Sequence, residues 1–303
     1  MNVYKNLPVS SFSQWRIGGT VEYLIEANSQ GDLISAFDFC ENKGLPWIVI
    51  GRTTNLLFTD SHINGVLIRL GGGFCGYKID KHCGLVEVGA ATYAPSFVRG
   101  CVNAGLSGLQ HLVGVPASLG GVLVMNGGSQ RKSISSVVES VCSISSKGRI
   151  HIRRGEECRF GYRESAYKYI DEVIVSCVLR LGSGSPSELR KECLSILASR
   201  NRKFPRKLPN CGSVFKSDPA MYAKYGPPGR VIEEVGLKGK VVGGAQISPR
   251  HANFIVNNGN ARAADVSALI HLCIERVFDA TGLFLVPEVR LVDEFACVQD
   301  IGR

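Results

Sequence analysis

The chain has no Cys-x-x-Cys pair and no cluster of cysteine and histidine at metal-ligand spacing, although it holds 11 cysteines in 303 residues. That excludes the common zinc-binding and dithiol redox frameworks, and the scattered thiols read as reduced and mostly buried. The N-terminal stretch MNVYKNLPVSSF lacks a basic region followed by an apolar core, and no apolar run approaches the ~18 residues that a membrane span needs. Secretion and membrane spanning are therefore not expected, and a cytoplasmic location is. Lysine and arginine outnumber acidic residues 35 to 26, for a formal charge of +9. They form no block and no helical stripe with stacking aromatics, so nucleic acid is not the expected partner. Spread positive charge suits an enzyme that gathers phosphate-bearing small molecules. The Gly-x-Gly-x-x-Gly of a Rossmann unit is also missing.

What is present reads as a mixed α and β chain, long enough for two or three subdomains. A short arm precedes a predicted strand over 21–26. A helix over 32–43 follows, with Leu33, Phe37 and Cys40 inward and Gly44 as its stop. A strand over 47–50 empties into Gly51-Arg-Thr-Thr-Asn-Leu-Leu57, and another strand covers 66–70. Strand, helix, strand and then a Gly/Thr/Asn turn suits phosphate binding by backbone amides, although a plain polar connection has the same composition. Further strands are predicted over 137–145, 173–181 and 284–292, and 243–248 and 252–257 as strands of one small sheet. Helices are predicted over 93–104, over 187–203 with Ser187 as cap and Leu189, Leu194 and Leu197 inward, and over 265–280. The segment 182–186 reads as a linker.

Three stretches carry candidate chemistry. In Lys207-Leu-Pro-Asn-Cys-Gly-Ser-Val-Phe-Lys-Ser-Asp-Pro219, prolines and Gly212 shape an ordered turn that presents the Ser213 hydroxyl, with Lys216 three residues on. Gly114 to Gly128 is rich in small residues that let a main chain approach a ligand, and Ser118 and Asn126 add polar side chains. Arg163 sits among turn formers beside Tyr162, aimed at a cleft or paired on the surface with Glu164 or Glu157. Glu288, directly after a proline on a predicted strand, faces a site or solvent, since period two permits either.

Taken in order, Arg16-Ile-Gly-Gly19, Gly51-Arg-Thr-Thr-Asn55, Val115-Pro-Ala-Ser-Leu-Gly-Gly121 with Met125-Asn126, Tyr162-Arg-Glu-Ser165, Asn210-Cys-Gly-Ser-Val-Phe-Lys216, Gly236-Leu-Lys-Gly239, Ser248 to Asn257 and Pro287-Glu-Val289 resemble the UDP-N-acetylenolpyruvoylglucosamine reductases, flavoenzymes of peptidoglycan precursor synthesis. The length is similar to the shorter of that family's two subtypes. The resemblance implies an α+β fold, with a two-lobed FAD-binding region of the vanillyl-alcohol-oxidase/PCMH type over 1–69 and 70–182 and a smaller α+β substrate-binding domain over 183–303. It implies FAD as cofactor, NADPH as co-substrate and a UDP-sugar enolpyruvyl ether as the acceptor of hydride and proton.

Carried over position by position, the resemblance makes Ser213 the proton donor, with Arg163 and Glu288 stabilising the enol. A free serine hydroxyl is a feeble acid, so a cationic neighbour and a strongly basic carbanion are needed for it to give up its proton. Gly51, Arg52, Thr53, Thr54, Asn55 and Leu56 would hold FAD from one side, and Gly114, Pro116, Ala117, Ser118, Gly120, Gly121 and Asn126 from the other. Tyr162, Asn210, Lys216 and Asn253 would bind substrate. No metal is implied.

The chain departs from the family at Thr53 and Thr54, where Gly and Ser are usual. Ala117 stands where glycine is usual, and Ser129-Gln-Arg131 replaces a small residue, an aromatic or histidine, and glycine. Thr53 places a branched side chain where φ > 0 is wanted. Two rivals follow: a related flavin oxidoreductase with another substrate, and a flavin-poor paralogue that binds a UDP-sugar or protein partner without turnover.

Overall fold

Three successive stretches of the chain each build a sheet, and the last stretch reaches back to pair with the first. The structure is a computed structural model that describes residues 1–302. In the first stretch β1 (Asn2–Pro8) runs antiparallel to β2 (Thr20–Ala27), and α1 (Gln30–Lys43) crosses to β3 (Trp47–Ile50). After β4 (Leu56–Phe58), which leaves this sheet, β5 (Ile63–Leu70) enters its middle, giving the order β1-β2-β5-β3. Ser29 caps α1 by accepting the Asp32 N–H, and Gly44 ends it at φ 61°. Leu33, Phe37 and Cys40 are buried against the sheet as the sequence implies. The predicted arm is instead strand β1; residues 2–6 are exposed, so no apolar alternation announces it.

The second stretch contributes β6 (Tyr77–Asp80), β7 (Leu85–Gly89), α2 (Ala94–Asn103), β8 (Leu106–Ser107), α3 (Leu119–Val124), the pair β9 (Gly128–Ser129) and β10 (Lys132–Ser133), β11 (Val138–Ser145), β12 (Ile150–Arg154) and β13 (Glu172–Arg180). Five of these form an antiparallel sheet in the order β12-β11-β13-β7-β6. The predicted linker holds β14 (Gly182–Ser183), which pairs with β8. Helix α4 (Pro186–Lys203) opens one residue earlier than predicted, with proline at its first position and Ser185 rather than Ser187 before it. It buries Leu189, Cys193 and Ile196 in the cluster that holds Phe97 and Val98 of α2. Leu194, predicted inward, is 60% exposed, because Cys193 and Ile196 already occupy the buried stripe.

In the third stretch α5 (Pro219–Lys224) and α6 (Pro228–Glu234) precede a small sheet of β15 (Val241–Val242), β16 (Ala245–Ile247) and β17 (Ile255–Asn257). Helix α7 (Ala263–Thr281) buries Val266, Leu269, Ile270, Cys273 and Val277, each contributing on the order of 1.5–3 kcal/mol by leaving water. The predicted strand over 284–292 contracts to β18 (Arg290–Val292), preceded by exposed Phe284 and Val286. Strand β18 pairs antiparallel with β19 (Val298–Asp300) and parallel with β4, so Glu288 is delivered to the wall built by the first stretch. Seven of the 11 cysteines are buried, and all are free thiols. No helix among the described residues is long and apolar enough to cross a membrane.

Candidate active site

A cleft of about 1340 Å³ runs between the three stretches. That exceeds the roughly 300–1,000 Å³ of most small-molecule sites, leaving room for a dinucleotide and a second ligand. One wall is the turn after β3, where Gly51, Arg52, Thr53, Thr54, Asn55 and Leu56 all line the cleft. Facing it are Gly114, Pro116, Ala117, Ser118, Gly120 and Gly121. The two walls touch: a Cβ on Gly51 would lie 2.4 Å from Ser118 Oγ, so a larger residue there would turn that hydroxyl aside. Among the described residues no protein acceptor takes the main-chain N–H of Thr54 or Asn55.

Thr53 has φ 54°. The position thus demands the left-handed region, which a β-branched residue enters at a cost. Its Oγ1 accepts the Gln14 N–H at 2.8 Å, and its carbonyl accepts the Cys211 thiol at 3.3 Å. These bonds hold the turn in place.

Across the cleft, Gly161 and Glu164 exchange main-chain hydrogen bonds of 3.0 and 3.2 Å, leaving Tyr162 and Arg163 as the turn, with Arg163 at φ 58°. Asn126 Nδ2 donates to Gly161 O at 2.7 Å, and Ser165 Oγ donates to Val124 O at 2.7 Å, anchoring the turn to α3 and the residues after it. So mounted, Arg163 Nε lies 2.7 Å from Glu288 Oε1. Glu288 is itself tied at the main chain: its N–H donates to Val214 O at 2.7 Å, and its carbonyl accepts Asn55 Nδ2 at 2.9 Å. Burial pushes the Glu288 carboxyl above the usual range, while Arg163, Lys216 and Lys168 oppose the shift.

Ser213 follows Gly212, whose φ is 81°, and precedes buried Val214 and Phe215. Asn210 Oδ1 accepts the Gly212 N–H at 3.0 Å, setting the loop's entry. Ser213, Arg163 and Glu288 line one cleft together with both flavin-side walls and Asn210. Arg163 is therefore in the cleft and not on a surface pair. Tyr162, Lys216, Asn126 and Asn253 are not in the cleft lining. Tyr162 is exposed and its hydroxyl accepts the Ser217 N–H at 3.1 Å, while Asn126 and Asn253 are buried braces of main chain.

A model of the FAD binding domain matches residues 21–152, and one of the UDP-N-acetylenolpyruvoylglucosamine reductase C-terminal domain matches 204–292. UDP-N-acetylenolpyruvoylglucosamine reductase 1 of Corynebacterium glutamicum is 39% identical over 281 residues, covering 93% of this chain and 83% of that protein. The corresponding reductase of Heliobacterium modesticaldum is 38% identical over 287 residues, covering 95% and 90%. The chain belongs to the UDP-N-acetylenolpyruvoylglucosamine reductase family. The crystal structure of the Thermus caldophilus UDP-N-acetylenolpyruvylglucosamine reductase superposes with a TM-score of 0.81 at 31% identity, covering 96% of this chain and 99% of that one. The expected α+β architecture with an FAD-binding region is thereby established.

Against that family the departures find physical terms. Gln130 and Arg131 form the two-residue loop between β9 and β10 and have φ 55° and 61°, a turn whose central positions favour glycine or asparagine. The Arg131 guanidinium lies 5.8 Å from the centre of the Tyr222 ring, a contact glycine lacks. Ala117 has no positive φ, so its methyl is accommodated.

The cleft fits FAD on its own chemistry. Besides the free amides of the first wall, Arg200 lines it, stacks 4.9 Å from the Phe204 ring centre, and has no carboxylate in ion-pair reach among the described residues. Burial, helped by Arg206, lowers its pKa to about 10. A desolvated cation of this kind calls for an anion. A Cβ on Gly114 would lie 2.6 Å from Arg200 Cδ and Nε, so glycine there admits the guanidinium. Sequence reasoning missed Arg200, Lys168 and the Cys211 contact. Arg200 and Lys168 carry no signal beyond a cation in a predicted helix or beyond a turn, and only the fold brings them to the cleft.

Proposed function

We propose that this chain is the FAD-dependent, NADPH-driven reductase that converts UDP-N-acetylglucosamine enolpyruvate to UDP-N-acetylmuramate in peptidoglycan precursor synthesis. The observation that carries the reading is the Arg163–Glu288 pair at 2.7 Å in the cleft lined by Ser213. Bound FAD, reduced by NADPH, supplies the hydride chemistry. The chain's own residues do the rest. The Gly51 to Leu56 and Gly114 to Gly121 walls hold the cofactor, and Arg200 offsets negative charge on it. Arg163 binds the enolpyruvyl carboxylate, bidentate geometry being what a guanidinium offers. Glu288, kept protonated over a wider pH range by burial, donates a hydrogen bond to the developing enol oxygen. Ser213 Oγ gives its proton to the substrate carbon left electron-rich by hydride addition, and solvent or the substrate's own polar groups restore it.

The same reading takes 1–69 and 70–182 as the two FAD lobes, 183–303 as the substrate domain, and a cytoplasmic location. Substrate binding by Tyr162, Asn210, Lys216 and Asn253 belongs to it, Asn253 acting through the Ser213 loop that it braces.

The test is direct. Purified protein should show an oxidised flavin spectrum that NADPH bleaches and that the enolpyruvyl ether restores. Colourless protein that cannot be reconstituted with FAD contradicts the proposal in favour of a binding module. Reduced flavin that this substrate leaves unoxidised favours a different acceptor.

A further inference from the structure

Lys168 ends a short 3-10 turn over Ala166–Lys168, and its side chain is only 7% exposed although it carries an ammonium. Burying that cation is costly unless its donors are matched. They are matched in a specific way: Nζ donates to the carbonyl of Arg163 at 2.8 Å and to Glu164 Oε1 at 3.2 Å. The other oxygen of Glu164 accepts the Tyr169 hydroxyl at 3.0 Å, so the carboxylate is held in turn. Lys168 also lines the cleft. Arg163 is the residue of the 161–164 turn forced to φ 58°, and its carbonyl is the atom that the ammonium grips.

From these contacts we infer that Lys168 is a positioning residue for the reductive step on substrate: its ammonium locks the left-handed backbone of Arg163, which aims the guanidinium at Glu288, and adds a positive charge facing that carboxyl. The inference rests on the reading of Arg163 and Glu288 given above. The charged groups facing Glu288 are Arg163 and Lys168 from the 161–168 segment and Lys216 from the Ser213 loop. Lys168 in turn faces Glu164, Lys216 and Arg290. The field at Glu288 is therefore positive, and Glu164 partly cancels the share of Lys168.

Three variants test this by stopped-flow measurement of both half-reactions. Lys168→Met keeps most of the apolar stem and removes the ammonium. It should leave FAD content and flavin reduction by NADPH within about twofold of wild type. Re-oxidation by the enolpyruvyl ether should slow at least tenfold, and the limb of its pH profile set by Glu288 should move to higher pH, because the carboxylate loses a stabilising cation. Lys168→Arg restores charge and donors and should recover most of the rate. Glu164→Gln removes the negative charge that offsets Lys168, so the same limb should move to lower pH.

If Lys168→Met does not fold, Lys168→Gln takes its place with the same expectations, because the downward shift in Glu164→Gln follows from the lost negative charge whatever Lys168 does. Re-oxidation and pH limb unchanged in the Lys168 variant would overturn the inference. Wild-type protein that never re-oxidises with this substrate would instead overturn the functional reading and is recognised before any variant is made.

Discussion

Asn253 closes a reciprocal pair on Phe215, its Oδ1 accepting the Phe215 N–H at 2.9 Å and its Nδ2 donating to the Phe215 carbonyl at 3.0 Å. The Val214 N–H donates to the Asn253 carbonyl at 2.9 Å, so one residue fixes the chain immediately after Ser213. Both side-chain bonds are buried, and removing them strands two main-chain groups. Asn253→Ala should therefore lose about 2–4 kcal/mol in urea unfolding. Flavin content should persist, and re-oxidation by substrate should slow more than reduction by NADPH. Equal loss in both half-reactions would place the damage on the flavin side.

Thr53 offers a balance of two effects of similar size. Glycine at this position relieves a left-handed β-branched residue, worth about 1–2 kcal/mol, and gives up the bond from Gln14, worth about 1 kcal/mol. Thr53→Gly should thus unfold within about 1 kcal/mol of wild type. Thr53→Val keeps the strain and removes the acceptor of the part-buried Gln14 N–H, and it should be about 1 kcal/mol less stable. Denaturant titration of the three proteins checks the order, and a Val variant as stable as wild type would remove the argument.

His111 is buried, with neither ring nitrogen hydrogen-bonded among the described residues, and burial aided by the charge of Lys132 lowers its pKa to about 4. Between that value and the ~6.5 of an unfolded histidine, the unfolded chain binds more protons than the folded one. The contribution of His111 is complete above about pH 6.5 and is lost as pH falls through 4, up to about 3 kcal/mol. His111→Phe should flatten that part of the pH dependence of unfolding. An unchanged slope would assign the acid sensitivity to other groups.

Much of this architecture is legible in the residue pattern, and the exceptions share a cause. Helix α7 announces itself because Val266, Leu269, Ile270, Cys273 and Val277 fall at helical spacing and Gly282 stands beyond its end. Leu194 misleads because it is apolar, yet Cys193 and Ile196 already fill the buried stripe that packs with α2. Strand β1 is silent because its residues are solvent-facing, and the run over 284–292 overstates a strand whose first half only bridges Phe215 through Pro287. Thr53 is legible only through the resemblance: the glycine usual at that position implies a positive φ that a threonine does not itself signal, and the backbone has it. Asn126 is legible as a polar residue in a small-residue segment and Asn253 only through the resemblance, but their partners lie 35 and 38 positions away. Neither spacing nor composition encodes such a distance, and the same holds for the convergence of Lys168 and Arg200 on the cleft.

The central claim is that the Ser213 hydroxyl delivers the proton once hydride has been transferred. Single-turnover stopped-flow of Ser213→Ala tests it most directly, with flavin absorbance followed first on mixing with NADPH and then on mixing the reduced protein with the enolpyruvyl ether. Reduction should proceed at close to the wild-type rate, and re-oxidation should fall by about a hundred- to ten-thousand-fold, the range a positioned acid provides. Re-oxidation at the wild-type rate, or the same loss in both halves, would contradict it.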